Sequence, residues 1–205
     1  MTDALAYRVV PVVVVEDAAT AEPLGQAMVA GGLPVAEVTF RTAAAADAIA
    51  AMSQVEGLLV GAGTVVSADQ VDQAIAAGAQ FIVSPGLRAD VVRRAQVARV
   101  PVVPGAVTPS EIMEAKALGL DTVKFFPAST YGGAKAIRAL SAPFAGMRFV
   151  PTGGVSLDNL ADYLSLPCVP AVGGSWMVPP ALVTAGDYDQ VSRLCAEAVA
   201  AAAAC

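Results

Sequence analysis

The chain has 205 residues, 56% of them hydrophobic and 15% charged, and a net charge of −6. That length suits one sizeable core, and the acidic balance argues against nonspecific nucleic-acid binding or attraction to an anionic membrane. There is no histidine, which removes His-based triads, the common zinc sites and imidazole acid–base chemistry.

Short β-branched runs alternate with Ala-rich helical stretches from end to end. Residues 1–7 read as a lead-in to a first strand over Arg8–Val15. Asp17 is expected to cap the helix that follows, which closes at Gly31-Gly32. The second strand is Val35–Phe40, with Thr42 as cap of the next helix. Leu58–Gly61 is the third strand, followed by the capping-box pattern Ser67-Ala68-Asp69-Gln70 and a helix ending at Gly78. Phe81–Ser84 and Pro101–Val103 are the fourth and fifth strands. Thr108-Pro109-Ser110-Glu111 places a cap before a proline at the first helical position, and Gly119 closes that helix. Thr122–Phe126 and Arg148–Pro151 are the sixth and seventh strands. Ser156-Leu157-Asp158-Asn159 opens a helix before an eighth strand at Cys168–Val172, and a last helix covers about 188–203.

Most of these strands are continuous apolar runs, as expected for parallel strands covered on both faces. Eight βα units predict an α/β fold, a compact (β/α)8 TIM barrel forming a single domain over residues 1–205. A doubly wound open sheet is the runner-up. It lacks support because no Gly-x-Gly-x-x-Gly follows the first strand. Val9–Val15, broken by Pro11, is too short to span a bilayer, and no secretory signal is legible at the N-terminus. Cys168, Cys195 and Cys205 have no metal-like spacing, so free thiols in a reducing cytoplasm are expected. The low charge density leaves apolar surface that a subunit interface would cover. The Ala and Val bias, with nine arginines to three lysines, equally fits a GC-rich genome.

In such a barrel the chemistry sits at the C-terminal ends of the strands. The sixth strand carries Lys124 inside Val-Lys-Phe-Phe. Burial disfavours an ammonium, and a buried amine can serve as a Schiff-base nucleophile. The alternative is a strand-end lysine whose ammonium reaches water. Glu37 lies among apolar residues of the second strand, where Glu is unusual unless paired or functional. The two-residue period puts Glu37, Thr39 and Arg41 on one face. Glu37 can shuttle protons there, or simply form an ion pair with Arg41 or Lys124. Arg41 can hold a carboxylate in a bidentate fork, and Thr64 can hydrogen-bond the same group. Each alone has an ordinary reading, as a surface arginine or a turn residue. Thr152-Gly153-Gly154 and Gly173-Gly174-Ser175-Trp176 end the last two strands, where these barrels build a phosphate site from backbone N–H groups. No carboxylate cluster has metal-ligand spacing, so the reading is metal-free carbonyl chemistry on a phosphorylated small molecule bearing a carboxylate.

The motifs Glu37-Val38-Thr39-Phe40-Arg41-Thr42, Gly61-Ala62-Gly63-Thr64, Ser84-Pro85-Gly86, Val123-Lys124-Phe125-Phe126-Pro127, Pro151-Thr152-Gly153-Gly154 and Gly173-Gly174-Ser175-Trp176 resemble the bacterial 2-keto-3-deoxy-6-phosphogluconate (KDPG) and 4-hydroxy-2-oxoglutarate (KHG) aldolases. The resemblance runs from Val9 to about Tyr188. It implies a cytoplasmic class I lyase, typically a homotrimer, that needs no cofactor beyond the covalent Schiff base. Its substrates would be KDPG, pyruvate and glyceraldehyde 3-phosphate, and also KHG and glyoxylate. It further implies that Lys124 forms the Schiff base and that Glu37 is the acid–base residue. Arg41 and Thr64 would bind the carboxylate, and Gly153, Gly154, Gly174 and Ser175 the phosphate. Pro85, Phe126 and Thr152 would line the pocket. Another phosphate-binding barrel enzyme, or a barrel serving as an assembly subunit, remain as rival readings.

Overall fold

The computed structural model describes residues 2–205. A short helix α1 (Thr2–Ala6) leads into strand β1 (Val9–Val13). Then come α2 (Ala21–Ala30), β2 (Val35–Thr39), α3 (Ala45–Met52), β3 (Leu59–Gly63), α4 (Ala68–Ala76) and β4 (Ile82–Val83). They are followed by α5 (Ala89–Val97), β5 (Val102–Val103), α6 (Pro109–Ala117), β6 (Thr122–Phe125), α7 (Gly133–Ser141) and β7 (Arg148–Pro151). The chain ends with α8 (Leu160–Leu164), β8 (Val172–Gly174), α9 (Pro180–Ala185) and α10 (Tyr188–Ala203).

All paired strands are parallel. One run of pairing follows the order β5-β4-β3-β2-β1-β8, and β6 pairs with β7. Two single bridges join the runs: Gly105 to Lys124 connects β5 to β6, and Thr152 to Gly173 connects β7 to β8. The eight strands therefore close in sequence order into a (β/α)8 barrel, not an open sheet. Closure leaves no free edge. The strands are almost wholly buried, which explains why they read as unbroken apolar runs. Phe81, Phe125 and Phe149 anchor the core, each contributing roughly 1.5–3 kcal/mol on full burial.

Helix α6 shows how local sequence sets an element. The Thr108 hydroxyl accepts from the Glu111 N–H at 3.3 Å, while the Glu111 carboxylate accepts from the Thr108 N–H at 2.9 Å, with Pro109 as first helical residue. Such a cap contributes about 1 kcal/mol. At α4 only half the expected box forms. Ser67 accepts from the Gln70 N–H, but the Gln70 side chain accepts from Val66.

Other expectations shift as well. Asp17 caps a single 3₁₀ turn over Ala18–Thr20 ahead of α2. The Thr42 hydroxyl donates to the Val15 carbonyl at 2.6 Å and so ties two strand ends together; Ala44 stands at the N-cap of α3. Helix α8 starts at Leu160, because Ser156–Asn159 closes into a turn. The eighth strand lies at Val172–Gly174 instead of Cys168–Val172. Pro170 has no N–H to give a ladder, and the Val169 N–H is already bonded to the Leu166 carbonyl.

Candidate active site

Lys124 and Glu37 meet inside the barrel. Their side chains are only 5% and 4% exposed, and Lys124 Nζ donates to Glu37 Oε1 at 2.9 Å. Either charge alone would cost several kcal/mol at that depth; the pair offsets much of this. The Phe126 ring lies beside the amine, its centroid 5.3 Å from Nζ, close enough for a cation–π contribution. β6 places Lys124 next to Val150 of β7 and bridges it to Gly105. β2 places Glu37 between Val12 and Gly61.

Gly63 makes room for this pair. A Cβ there would overlap the Glu37 carboxylate and its Cγ. The absence of a side chain at Gly63 thus lets Glu37 lie across β3.

A cleft of about 370 Å³ opens at the ends of β1, β6, β7 and β8. It is lined by Arg41, Phe126, Thr152, Gly153, Gly154, Gly174 and Ser175, with Val12, Val14, Val155, Val178 and Pro180 as its apolar walls. The size and the mix of apolar wall with a few polar groups suit a small ligand. Exposed Arg41 holds its Nε 3.4 Å from Thr64 Oγ1, and Thr64 has φ 57°. The two expected carboxylate binders are thereby brought together, with Arg41 reaching the cleft and Thr64 behind it. Pro85, at the end of β4, packs its carbonyl on Gly105; like Lys124, Glu37 and Thr64, it is not among the residues that line the cleft.

The far end of the cleft is built from backbone. Gly153 and Gly154 have φ of 93° and 75°, values that favour glycine. Among the described residues none accepts from the N–H of Gly154 or Ser175. The Thr152 hydroxyl is also buried without a protein partner. Unpaired donors around a concave surface suit an anion or another oxygen-rich group. Among the described residues no three of Cys, Asp and Glu come together as metal ligands would, and no helix is long and apolar enough to cross a membrane.

Sequence reasoning missed the apolar walls and Asn159, which bonds to the loop after β7. No local signal marks Asn159, because an asparagine at a helix N-cap is expected to bond its own first turn.

Comparison with known proteins bears on these residues together. Residues 3–194 match the family model described as KDPG and KHG aldolase. A 2-dehydro-3-deoxy-phosphogluconate aldolase of Treponema pallidum (strain Nichols) is 50% identical, over 91% of this chain and 90% of that protein. A crystal structure of the 2-keto-3-deoxy-6-phosphogluconate aldolase of Zymomonas mobilis ZM4 with 3-phosphoglycerate superposes with a TM-score of 0.91 at 42% identity, covering 97% of this chain and 94% of that one. The KDPG aldolase of Legionella pneumophila, with pyruvate captured at low pH as a covalent carbinolamine intermediate, gives 0.91 at 38% identity, covering 95% of each chain.

Proposed function

The chain belongs to the KDPG and KHG aldolase family, and we propose that its cleft cleaves 2-dehydro-3-deoxy-6-phosphogluconate to pyruvate and glyceraldehyde 3-phosphate through a Schiff base on Lys124. The observation that carries this reading is the buried Lys124–Glu37 pair at 2.9 Å beside a cleft bordered by free backbone donors. The carbinolamine captured in the Legionella relative supports the same reaction class. 4-Hydroxy-2-oxoglutarate, cleaved to pyruvate and glyoxylate, is the second substrate.

The steps follow from the pairing. Glu37 takes a proton from the Lys124 ammonium, and the free amine adds to the C2 ketone. Glu37 returns that proton to the carbinolamine hydroxyl, which leaves as water, so that a protonated imine and a Glu37 carboxylate remain. Glu37, directly or through a water, then accepts the proton of the C4 hydroxyl. The C3–C4 bond breaks, C4 leaves as the aldehyde of glyceraldehyde 3-phosphate, and the bonding electrons pass to C3 as an enamine. Protonation at C3 restores the imine, and water releases pyruvate and the amine. The imine nitrogen is the electron sink, so no metal is called for. A positioned carboxylate of this kind contributes roughly 10²–10⁴-fold.

Arg41, backed by Thr64, is assigned to the substrate carboxylate, for which a guanidinium offers a matching fork. Gly153, Gly154, Gly174 and Ser175 are assigned to the phosphate, and Phe126 and Thr152 to the wall between the two ends. A cytoplasmic homotrimer is the proposed working form. Pyruvate release from KDPG, followed with a coupled lactate dehydrogenase, tests the reading: the wild-type chain turns over and Lys124→Ala does not. Equal rates in both would overturn it.

A further inference from the structure

We infer that Asn159 is a positioning residue for the phosphate end of the cleft, holding the peptide between Gly154 and Val155 in the one orientation that favours an anion. This inference rests on the phosphate assignment proposed above.

Asn159 stands at the N-cap of α8, with φ −120°, yet its side chain makes no cap hydrogen bond. Asparagine at that position ordinarily accepts from the first turn of its own helix. Here the amide turns back instead. Its Nδ2 donates to the Gly154 carbonyl at 2.8 Å, and its Oδ1 accepts from the Ser156 N–H at 2.9 Å. Both halves of the amide are thus used on the loop that follows β7.

The consequence comes from peptide geometry. In a planar trans peptide the carbonyl and the next N–H point in opposite directions. With the Gly154 carbonyl drawn to Asn159, the Val155 N–H is turned away from Asn159. Val155 lines the cleft, and among the described residues none accepts from its N–H. Gly153 and Gly154 both sit at positive φ, where glycine is free to sample many other conformations. Without the clamp this peptide can flip. A flip would bring a carbonyl oxygen, instead of an N–H, round to the side now occupied by the donor, and would repel a phosphate. Ser129 confines the same loop from its other side, since a Cβ at Gly154 would overlap the Ser129 hydroxyl. The side chain required at 159 must donate to one backbone group and accept from another two residues on. A shape-matched leucine does neither, and glutamine does both with one methylene too many.

The test is steady-state kinetics of Asn159→Leu on KDPG and on unphosphorylated 4-hydroxy-2-oxoglutarate, with Ser175→Ala alongside. KM for KDPG should rise about five- to tenfold, the loss expected for one or two hydrogen bonds. KM for the unphosphorylated substrate should change less than about twofold. Competitive inhibition by inorganic phosphate should weaken in proportion, and Asn159→Gln should recover part of the loss. If Asn159→Leu does not fold, Asn159→Ser, too short for either bond, carries the same comparison. Equal effects on both substrates, or none on either, would overturn the inference. Selectivity in Ser175→Ala without selectivity at Asn159 would sink the inference alone. Failure of inorganic phosphate to compete with KDPG in the wild-type protein would remove the phosphate assignment itself.

Discussion

Gly63 and Glu37 are fitted to each other: the volume that a side chain at Gly63 would fill is occupied by the Glu37 carboxylate and Cγ. The catalytic carboxylate proposed here is therefore held from two sides, by the amine of Lys124 at 2.9 Å and by the bare backbone of β3.

Gly63→Ala is expected to keep the barrel and lose the chemistry. A single methyl would push Glu37 from Lys124, and a misplacement of about 1 Å costs on the order of 10²-fold in rate. Turnover of KDPG at saturating substrate checks this, with a thermal melt to show that the protein folds. Wild-type turnover would mean that Glu37 does not act from its observed position.

Glu37→Gln keeps the shape and a hydrogen-bonding oxygen for Lys124 but cannot take a proton. Turnover should fall by roughly 10²–10⁴-fold, with a smaller change in KM. A larger change in KM than in kcat would assign Glu37 to binding instead.

Ease of reading tracked how local each cause is. The strands were legible because they are covered on both faces, and the Thr108 cap because it lies within four residues. The Lys124–Glu37 pair spans 87 positions, but each partner was conspicuous alone, as a charge inside an apolar run. What was not legible depends on register. Nothing in the letters says that Gly63 lies across from Glu37, or that Asn159 turns away from its own helix. The eighth strand was misplaced for a local reason. Val169-Pro170-Ala171-Val172 is apolar throughout, and the missing N–H of Pro170, together with the turn that uses the Val169 N–H, delays pairing until Val172.

Acid should act on α6. Burial tends to raise the Glu111 carboxyl, but hydrogen bonds from the Val107 N–H and from Thr108 outweigh it, and the net shift is downward. A lowered carboxyl contributes stability that is present above its ordinary value of about 4.3 and is lost as pH falls through the lowered value. The gap in Tm between wild type and Glu111→Gln should therefore hold from pH 7 down to about 5 and narrow below about 4. A gap that stays constant down to pH 3 would contradict this role.

The thiols should divide by depth. Burial alone pushes the Cys195 thiol up to about 12, whereas Cys205 is exposed. A disulfide-exchange reagent at pH 8 should label Cys205 in the native protein and Cys195 only after unfolding, read by peptide mass. The stability that goes with the protonated Cys195 thiol is fully present below its ordinary value of about 8.5 and declines as pH rises toward the raised one. Native labelling of Cys195 would show that α10, which carries it, does not stay packed against the end of α2.

The central claim is that Lys124 forms the covalent intermediate, and borohydride reduction in the presence of pyruvate tests it most directly. A reduced pyruvate adduct, seen as a mass gain of the intact chain and mapped to the peptide carrying Lys124, is the predicted result. No adduct, or one on Lys116 or Lys135, would contradict it.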